Sequence, residues 1–330
     1  MKIVGLTYNL KTDYQFKTGD PHDANAEFDL PLTVEELASA IESLGFKVER
    51  IGNVYNLLKG LDNLGVDVVF NIAEGFGNRN RESQVPVILE TKGIPYVGSD
   101  GLTLGLTLDK ILTKKIFITE GIPTPSFFEA KSRDYINTDH LKFPLIVKPR
   151  YEGSSKGLSE RSKVKDNDEL KRQIEYIIDT YQQPALVEEF ISGFEFTVVI
   201  IGNEHLEVFS PVQTKIDGRL KPGDLFYTFE RLSSPERIEY IFPPQIDSKL
   251  QQEIMDLARR VYEAVGCRDF GRVDFRLDEE NRPYVLEINP LPCLSKEDVF
   301  MIIAQKIGIT YAEMIGKILY SALKRYNMED

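Results

Sequence analysis

The residues with the clearest capacity for chemistry lie in a predicted β-hairpin. Residues 271–290, GRVDFRLDEENRPYVLEINP, read as two strands joined by a polar turn. Side chains alternate along a strand, so Arg272, Asp274 and Arg276 share one face of the first strand. On the return strand the same alternation groups three side chains, Val285, Glu287 and Asn289. The hairpin therefore gathers two acids, arginines and an amide.

The predicted register of this hairpin places two carboxylates against each other. Pairing Leu277 with Tyr284 also pairs Asp274 with Glu287, and like charges directly opposite each other destabilise a sheet. A divalent cation removes this repulsion. Two carboxylates and the Asn289 amide are hard oxygen ligands of the kind that Mg²⁺ prefers. A solvated hairpin face with scattered charges is the alternative that these residues leave open.

A second segment combines a lysine at a strand end with a loop of small residues. In residues 143–157, FPLIVKPRYEGSSKG, Lys148 ends an apolar run, and Ser154 and Ser155 follow in the loop. Glycines let backbone N–H groups turn toward an anion, and serines add hydroxyl donors. The GxxxxGK[ST] pattern of a P-loop is absent. The segment predicts a phosphate-binding loop, with a flexible surface hairpin as the alternative.

A third segment is an apolar strand that ends in acids. Residues 185–195 read ALVEEFISGFE, with Glu188 and Glu189 together and Glu195 after a turn. Carboxylates and backbone groups at a strand end can hydrogen-bond an adenine edge and ribose hydroxyls. Taken alone, this segment is not specific for a nucleotide.

Alternating strands and helices are predicted to position the N-terminal part of the site. Strands are predicted at 2–7, 46–51, 66–72 and 94–97, and helices at 33–44, 84–91 and 108–120. Thr33 and Glu36 have the spacing of a capping box for the first of these helices. This alternation is typical of an α/β layer.

From about residue 143 the pattern changes to strands connected by loops and hairpins. Strands are predicted at 143–148, 185–190, 194–201, 205–216, 269–277 and 283–289, and helices at 168–181, 248–265 and 311–325. The sequence therefore predicts an N-terminal α/β domain followed by an α+β region.

Composition excludes several classes of function. The chain has 330 residues, 40 Lys and Arg, 52 Asp and Glu and a net charge of −12, which argues against a general nucleic-acid binder. Cys267 and Cys293 form neither a CxxC pair nor a zinc motif, so a cytoplasmic location is expected. The N-terminus reads as a strand rather than a signal peptide, and no apolar run has the length of a membrane helix. The three histidines are expected at the surface, namely His22, His140 and His205.

Taken in order, these segments resemble the ATP-grasp superfamily and, within it, the D-alanine–D-alanine ligase family. The resemblance spans about residues 66–295 and rests on five segments, at 95–100, 108–114, 143–159, 188–198 and 271–292. It implies an ATP-grasp fold, α/β and α+β, with an N-terminal Rossmann-like (pre-ATP-grasp) domain. The expected division is an N-terminal domain at 1–98, a central subdomain at 99–188 and a C-terminal subdomain with the metal site at 189–330.

The resemblance also implies roles for individual residues. Lys110 and Lys148 match lysines on the nucleotide phosphates, and Ser154 and Ser155 match serines of the loop that closes over them. The adenine and ribose contacts fall on four positions, Glu188, Glu189, Ile191 and Glu195. The expected Mg²⁺ ligands are Asp274, Glu287 and Asn289. Arg272, helped by the backbone N–H of Cys293, matches the group that stabilises the tetrahedral oxyanion.

The implied activity is an ATP-dependent carboxylate–amine ligation through an acyl phosphate, with Mg²⁺ (or Mn²⁺ in its place) as cofactor. The expected partners are small amino-acid or peptide substrates and a second copy in a homodimer, with no nucleic acid and no membrane. In this family, the most familiar role of such a ligation is the synthesis of a peptidoglycan precursor. Two alternatives remain open: a ligase that joins a different amino acid, dipeptide or specialised metabolite, and an ATP-binding regulatory protein without turnover.

The departures from the family pattern cluster in the expected substrate region. The first strand runs into Thr7-Tyr8-Asn9-Leu10-Lys11, so no residue is assigned to the first substrate's ammonium, and the family's His-Gly appears as Glu74-Gly75. The flap at 224–232 keeps Tyr227 but lacks the Lys-Tyr pair, a charge that Arg231 could supply.

Two further departures fall after the hairpin. The family's glycine is Cys293, and the serine that holds the second substrate's carboxylate falls at Asp298. An anionic side chain where a carboxylate should bind is unfavourable. An amine-bearing or larger acceptor would suit Asp298 better.

Overall fold

The computed structural model describes residues 1–77, 79–132 and 138–329. The strands are β1 Ile3–Thr7, β2 Lys47–Gly52, β3 Val68–Asn71, β4 Tyr96–Val97, β5 Phe127–Ala130, β6 Leu145–Pro149, β7 Lys163–Val164, β8 Ala185–Glu189, β9 Glu195–Ile201, β10 Glu207–Val208, β11 Val212–Ile216, β12 Ile238–Ile241, β13 Phe270–Leu277 and β14 Pro283–Asn289. The helices are α1 Pro31–Ser43, α2 Val54–Gly60, α3 Gln84–Lys92, α4 Gly101–Leu108, α5 Lys110–Thr119, α6 Asn167–Tyr181, α7 Phe229–Leu232, α8 Ser248–Ala264, α9 Val299–Ile307 and α10 Tyr311–Arg325.

The first sheet is parallel, with strand order β2-β1-β3-β4. Its central strands β1 and β3 are almost wholly apolar because helices cover both faces. One face packs on α1, α9 and α10, so the C-terminal helix shares a core with the first strand. The other face packs on α2 and α3. The prediction of an N-terminal α/β layer is confirmed.

The second sheet is antiparallel, with order β5-β8-β6-β7, and α6 covers one face. Ile146 pairs with Glu188, and Lys148 pairs with Leu186. Because residues two apart lie on the same face of a strand, this register places Lys148 and Glu188 on one face, away from α6. The sheet therefore fixes the two predicted nucleotide contacts relative to each other.

The third sheet has the order β12-β11-β9-β13-β14, with β10 beside β9, and α8 packs on it. Its central strand β9 is buried along its whole length. Within the hairpin of β13 and β14, Asp274 lies opposite Glu287 and, on the other side, opposite Thr197 of β9.

The start of α1 differs from the prediction. The helix begins at Pro31, and the N-cap residue is Leu30, whose side chain makes no capping hydrogen bond. The predicted capping box of Thr33 and Glu36 is therefore wrong. Proline at the first helical position lacks the N–H that such a cap would satisfy and has its φ preset for the helix.

The predicted helix at 108–120 is also wrong in its boundary. The chain forms two helices, α4 and α5, which meet at Asp109. The Asp109 carboxylate accepts a hydrogen bond from the Leu112 N–H at 3.2 Å and so caps α5. As a result Lys110 occupies the first turn of α5, where its side chain reaches the hairpin.

The structure also contains elements that were not predicted, namely α2, α4, α7, β5, β7 and β12. The predicted strand at 205–216 is two strands, β10 and β11, with Pro211 between them. Helix α9 was not predicted either, and Asp298 caps it by accepting a hydrogen bond from the Val299 N–H at 2.7 Å. In the described ranges no single helix could span a bilayer by length and hydropathy, although α9 and α10, bent by 110°, pass that test as a pair.

Candidate active site

A cavity of about 580 Å³ lies where the three sheets and their loops converge. Its walls include every predicted site residue except Arg231, namely Lys110, Lys148, Ser154, Ser155, Glu188, Glu189, Ile191, Glu195, Tyr227, Arg272, Asp274, Glu287, Asn289, Cys293 and Asp298. Segments separated by up to 188 positions thus meet around one space. The histidines are elsewhere, and all three are exposed, as expected.

The hairpin register predicted around Asp274 is correct, but the one predicted at its turn is wrong. Leu277 pairs with Pro283 rather than Tyr284, and the register shifts by one residue just after Asp274. This β-bulge adds one residue to the return strand and restores the pairing of Asp274 with Glu287. It also turns Val285 into the apolar core, so Val285 does not share the face of Glu287 and Asn289.

Asp274 is the centre of a hydrogen-bonded group on this wall. Its Oδ1 accepts from Thr197 Oγ1 at 2.6 Å and from Arg272 Nε at 3.0 Å. Its Oδ2 accepts from Asn289 Nδ2 at 2.9 Å and from Arg272 Nη2 at 3.1 Å. The fork of Arg272 is therefore fixed by two parallel bonds to one carboxylate.

Glu287 is paired with a lysine from a different part of the chain. Lys110 Nζ lies 3.0 Å from Glu287 Oε2. Burial opposes ionisation, but Lys110 and then Lys148 outweigh it and lower the pKa of Glu287 to about 2. The side chain is therefore a carboxylate at neutral pH.

The start of α5 is fixed by a second ion pair. Arg150 donates from Nε and Nη2 to the two carboxylate oxygens of Asp109, both at 2.6 Å. Asp109 is wholly buried, so this bidentate pair lies in a region of low dielectric where it is strong. It ties Lys110 to the end of β6, which carries Lys148.

Glu188 lies between two lysines. Its Oε1 is 2.6 Å from Lys148 Nζ and its Oε2 is 2.7 Å from Lys114 Nζ. Burial raises the pKa of a carboxyl group, but the two lysines outweigh burial and hold the pKa of Glu188 below its usual value. Lys114 also donates to Thr124 Oγ1 at 2.6 Å. Sequence reasoning missed Lys114, although it is the last residue of the segment at 108–114.

Glu195 forms an ion pair with Arg276. The two side chains are 3.1 Å apart, and the Arg276 guanidinium lies 4.7 Å from the centre of the Phe190 ring. Burial raises the pKa of Glu195 to about 7, against the opposing effect of Arg276. Arg276 also donates to the carbonyls of Gly223 and Leu225, so it joins the flap to the sheet. Glu189 differs, because its carboxylate accepts the Lys142 N–H at 2.8 Å.

The small-residue loop contains two serines with an unusual backbone conformation. Ser154 and Ser155 have φ values of 47° and 55°, in the left-handed region. The N–H of Gly153 donates to Glu27 Oε1 at 2.6 Å, so a carboxylate from the N-terminal segment contacts this loop. Glu27 also pairs with Arg81. No sequence signal pointed to Glu27, because the segment before α1 has no recognisable motif.

The flap places its two candidate residues differently. Tyr227 lines the cavity, and its hydroxyl group is 3.1 Å from Thr214 Oγ1. Arg231 lies outside the cavity wall, where its guanidinium donates to Asp217 Oδ2 at 2.9 Å and to the Phe226 carbonyl at 2.8 Å. Arg231 is therefore not among the residues that line the cavity, and its donors contact Asp217, Glu160 and the Phe226 carbonyl.

Carboxylates dominate the part of the cavity near the first sheet. Asp29, Glu74 and Glu82 line it, and we call these three residues the acidic end. Burial raises the pKa of Asp29 and of Glu82 to about 7 each, and that of Glu74 further above its usual value. Glu74 appeared in the sequence only as a departure from a pattern, and Asp29 and Glu82 gave no signal.

Cys293 and Asp298 lie between the acidic end and the hairpin. Asp298 Oδ2 is 3.9 Å from Arg272 Nη1, at the limit of an ion pair. Burial raises the pKa of Asp298, and Arg272 opposes that effect. A second part of the cavity wall, which we call the paired end, comprises Lys110, Lys148, Glu188, Asp274 and Glu287.

The donor set of the hairpin fits a magnesium ion. Two carboxylates opposed across the strands and one amide oxygen are hard ligands, and Mg²⁺ commonly takes one or two carboxylates with water and phosphate. Within the part of the chain that the structure describes, no cluster of three His, Cys, Asp or Glu side chains could hold a metal. A hairpin-bound ion would therefore depend on Asp274, Glu287 and Asn289 together with a phosphate.

Known proteins resemble this chain over most of its length. Residues 116–320 match the family model described as D-ala D-ala ligase C-terminus. The uncharacterized protein y4sG of Sinorhizobium fredii is 38% identical over 78% of this chain and 75% of its own length. The D-alanine–D-alanine ligase of Carboxydothermus hydrogenoformans is 34% identical over 88% and 93% of the two chains.

Two solved structures show the same fold. The D-alanine–D-alanine ligase of Bacillus anthracis, complexed with ATP, has a TM-score of 0.77 at 22% identity and covers both chains completely. The VanG D-Ala:D-Ser ligase of Enterococcus faecalis has a TM-score of 0.72 at 20% identity over 97% and 99% of the two chains. The predicted ATP-grasp architecture is therefore confirmed.

Proposed function

Because this chain belongs to the D-alanine–D-alanine ligase family, an ATP-dependent group of C–N bond-forming ligases, we propose that its cavity joins an amino-acid carboxylate to an amine. The observation that carries this proposal is the paired end of the cavity. There Asp274 opposes Glu287 across two strands and Arg272 is fixed on Asp274, while Lys110 approaches from the start of α5 and Lys148 from the second sheet.

The proposed reaction has two steps. The carboxylate of the first substrate attacks the γ-phosphate of ATP and forms an acyl phosphate, releasing ADP. The acceptor amine then attacks the acyl carbon, the new C–N bond replaces the C–O bond to phosphate, and phosphate and a proton leave. Phosphoryl transfer needs mostly positioning and charge stabilisation from a protein.

Each cationic side chain has a separate task in this proposal. Lys110 and Lys148 bind the ATP phosphates, and the N–H groups around Ser154 and Ser155 close over them. Arg272 stabilises the oxyanion of the second step, because its guanidinium is held in one orientation before the reaction begins. Asp274, Glu287 and Asn289 would hold Mg²⁺, which neutralises charge on the transferred phosphate.

Adenosine binding is proposed at the edge of the second and third sheets. Ile191 offers backbone groups to the adenine edge, and Glu188 and Glu195 offer acceptors to the amino group and the ribose. In the structure both carboxylates are paired with cations, Lys114 and Arg276 among them. Binding of the nucleoside would therefore share these carboxylates with their present partners rather than use free ones.

The substrate pair is proposed to differ from two simple D-alanines. Asp298 stands near Arg272, and a carboxylate there repels the carboxylate of an amino-acid acceptor. The family's name suggests cell-wall precursor synthesis from two D-alanines, and the activity with D-alanine alone is therefore the one with which other substrate pairs are compared. We further propose a cytoplasmic homodimer, in keeping with two free cysteines, and light scattering of the purified protein tests the dimer.

The direct test is phosphate release from Mg-ATP with D- and L-amino acids supplied singly and in pairs, followed by mass spectrometry of each positive reaction. Release with formation of an amide product is the expected result. Release with D-alanine alone, giving the dipeptide, would contradict the altered pair but keep the ligase. ATP binding without release for any pair would contradict the ligase and favour a regulatory protein.

A further inference from the structure

Three carboxylates of the acidic end have no partner in the structure. Asp29, Glu74 and Glu82 line the cavity, and their side chains make no hydrogen bond or ion pair with any residue that the structure describes. Glu82 is only 8% exposed. An unpaired carboxylate this deeply buried is costly, and proteins retain such groups where a ligand completes them.

The neighbouring acids Glu27 and Glu152 have basic partners, unlike the three residues of the acidic end. Arg81 pairs with Glu27 and lies 3.6 Å from Glu152. Lys156 Nζ is 2.7 Å from Glu152 and 3.7 Å from Glu27. These four side chains form a neutral set of two acids and two bases. Arg81 also lowers the pKa of Glu82 and of Glu74, but it forms its ion pair with Glu27 and is near Glu152, so its single charge is shared with those two acids.

Two other lysines near the acidic end do not neutralise it. Lys11 lowers the pKa of Asp29, but its ammonium group makes no ion pair within the described ranges. Lys110 lowers the pKa of Glu82 and has its own ion pair with Glu287. When these carboxyl groups are ionised, this part of the cavity therefore carries an excess of negative charge, and a bound cation would favour that ionised form.

Hydrogen bonds hold the backbone next to Glu74 in place. The Gly75 N–H donates to Asn9 Oδ1 at 2.9 Å, and Gln84 bonds both the N–H and the carbonyl of Phe76. Gly75 has a φ of 72°, and a Cβ atom there would lie 2.1 Å from the Arg81 carbonyl oxygen. Only glycine permits this close approach, so the two glutamates keep a fixed position on the cavity wall.

The number of carboxylates in the acidic end indicates how many ammonium groups its ligand carries. In the proposed reaction the carboxylate of a neutral amino acid lies at the ATP phosphate, so such a substrate offers one ammonium group to three carboxylates. A diamino acid brings a second ammonium, a compact cation with three donors. Resting on the proposed function, we infer that the acidic end binds the extra ammonium group of a diamino-acid substrate, through Glu82, Glu74 and Asp29.

The test compares diamino acids with neutral isosteres in which a methyl group replaces the extra ammonium. The pairs are 2,3-diaminopropionate with 2-aminobutyrate, 2,4-diaminobutyrate with norvaline, and ornithine with norleucine, each as both stereoisomers. Dissociation constants are measured by calorimetry at pH 8 with Mg²⁺ and a non-hydrolysable ATP analogue. The expected result is that at least one diamino acid binds tenfold or more tightly than its isostere.

Variants connect this preference to the acidic end. Glu82→Gln and Glu74→Gln are each expected to reduce the preference about tenfold, because the amide keeps the shape and removes the charge. Glu42→Gln, at an exposed position of α1, removes the same charge from the surface and is expected to leave the preference unchanged. Equal binding of diamino acids and isosteres, or a preference that neither cavity variant changes, would overturn the inference.

Binding and turnover separate this inference from the proposed function. If diamino acids bind with the expected preference but no reaction releases phosphate, the ligase proposal fails and the cationic site remains. If D-alanine gives a dipeptide and no diamino acid binds, the ligase remains and the cationic site is refuted.

Discussion

The carboxylates at the two ends of the cavity differ in their ion-pair partners and in the direction of their pKa shifts. At the paired end Glu188 contacts two lysines and Glu287 contacts Lys110. At the acidic end Glu74 and Glu82 have no partner among the described residues. Lysines lower the pKa of Glu287 to about 2, whereas burial raises that of Glu82 to about 7.

The carboxylates of the paired end have cationic partners within the protein, whereas those of the acidic end are proposed to gain a cationic partner from a ligand. Buried ion pairs hold the paired end in one geometry, which suits a reaction that is catalysed by fixed charges. Unpaired buried acids destabilise the folded protein unless a cation arrives. The comparison predicts that substitutions at the paired end cost stability or turnover, and that substitutions at the acidic end raise stability and change specificity.

The largest effect is expected for Lys114→Met. This change removes one of the two lysines from the wholly buried Glu188, and breaking a buried ion pair costs about 3–5 kcal/mol. Urea denaturation should show a loss toward the lower part of that range, because Lys148 remains. The control is Lys317→Met, which removes an exposed ion pair with Glu207 and should change stability by about 1 kcal/mol or less. Equal losses in the two variants would mean that the paired end is not preorganised.

Arg272→Ala is expected to lower phosphate release and product formation about 10²–10³-fold, since one preorganised donor to an oxyanion contributes that much. Calorimetry should show that ATP still binds, because Arg272 contacts Asp274 rather than the predicted phosphate loop. Arg282→Ala, in the exposed turn of the same hairpin, is the matched control. Full activity in Arg272→Ala would remove this residue from the proposed mechanism.

Glu82→Gln is expected to stabilise the protein without ligand at pH 8. A carboxyl group whose pKa rises from 4.5 in the unfolded chain to about 7 in the folded one costs nothing below pH 4. The cost appears as pH rises through that interval and is complete above pH 7. The variant should therefore gain roughly 1–3 kcal/mol at pH 8 and little at pH 4. A gain that is the same at both pH values would contradict the assignment of the charge.

The smallest effect on stability is expected for Asp298→Asn. Asparagine also caps helices, so α9 should keep its N-terminal hydrogen bond and thermal unfolding should shift little. Removal of the charge near Arg272 should tighten the binding of acceptors that bear a carboxylate by about tenfold, or 1.4 kcal/mol. An unchanged KM for such acceptors would show that Asp298 does not face the acceptor.

The site was predictable where one segment carries its own pattern. The alternation of charges in 271–290 predicted the opposition of Asp274 and Glu287, and the structure confirms that opposition. The bulge that maintains it was not predictable, because the choice between two registers depends on which side chains the core can bury. Val285 and Leu286 are both apolar, and only packing against α8 decides that Val285 is buried.

The sequence by itself indicated an α/β layer, an α+β region and the charged hairpin, because strands, small-residue loops and alternating charges leave local patterns, and its resemblance to a known family implied the ATP-grasp architecture and the remaining residues of the paired end. Tertiary structure alone decided the partners of those residues. Lys114 reaches Glu188, and Arg276 reaches Glu195, across 74 and 81 positions of chain. The acidic end was also decided there, since Asp29 comes from the segment before α1, whereas Glu74 and Glu82 lie between β3 and α3. The energy of an ion pair depends on the distance between two charges in space, and the order of residues along the chain does not give that distance.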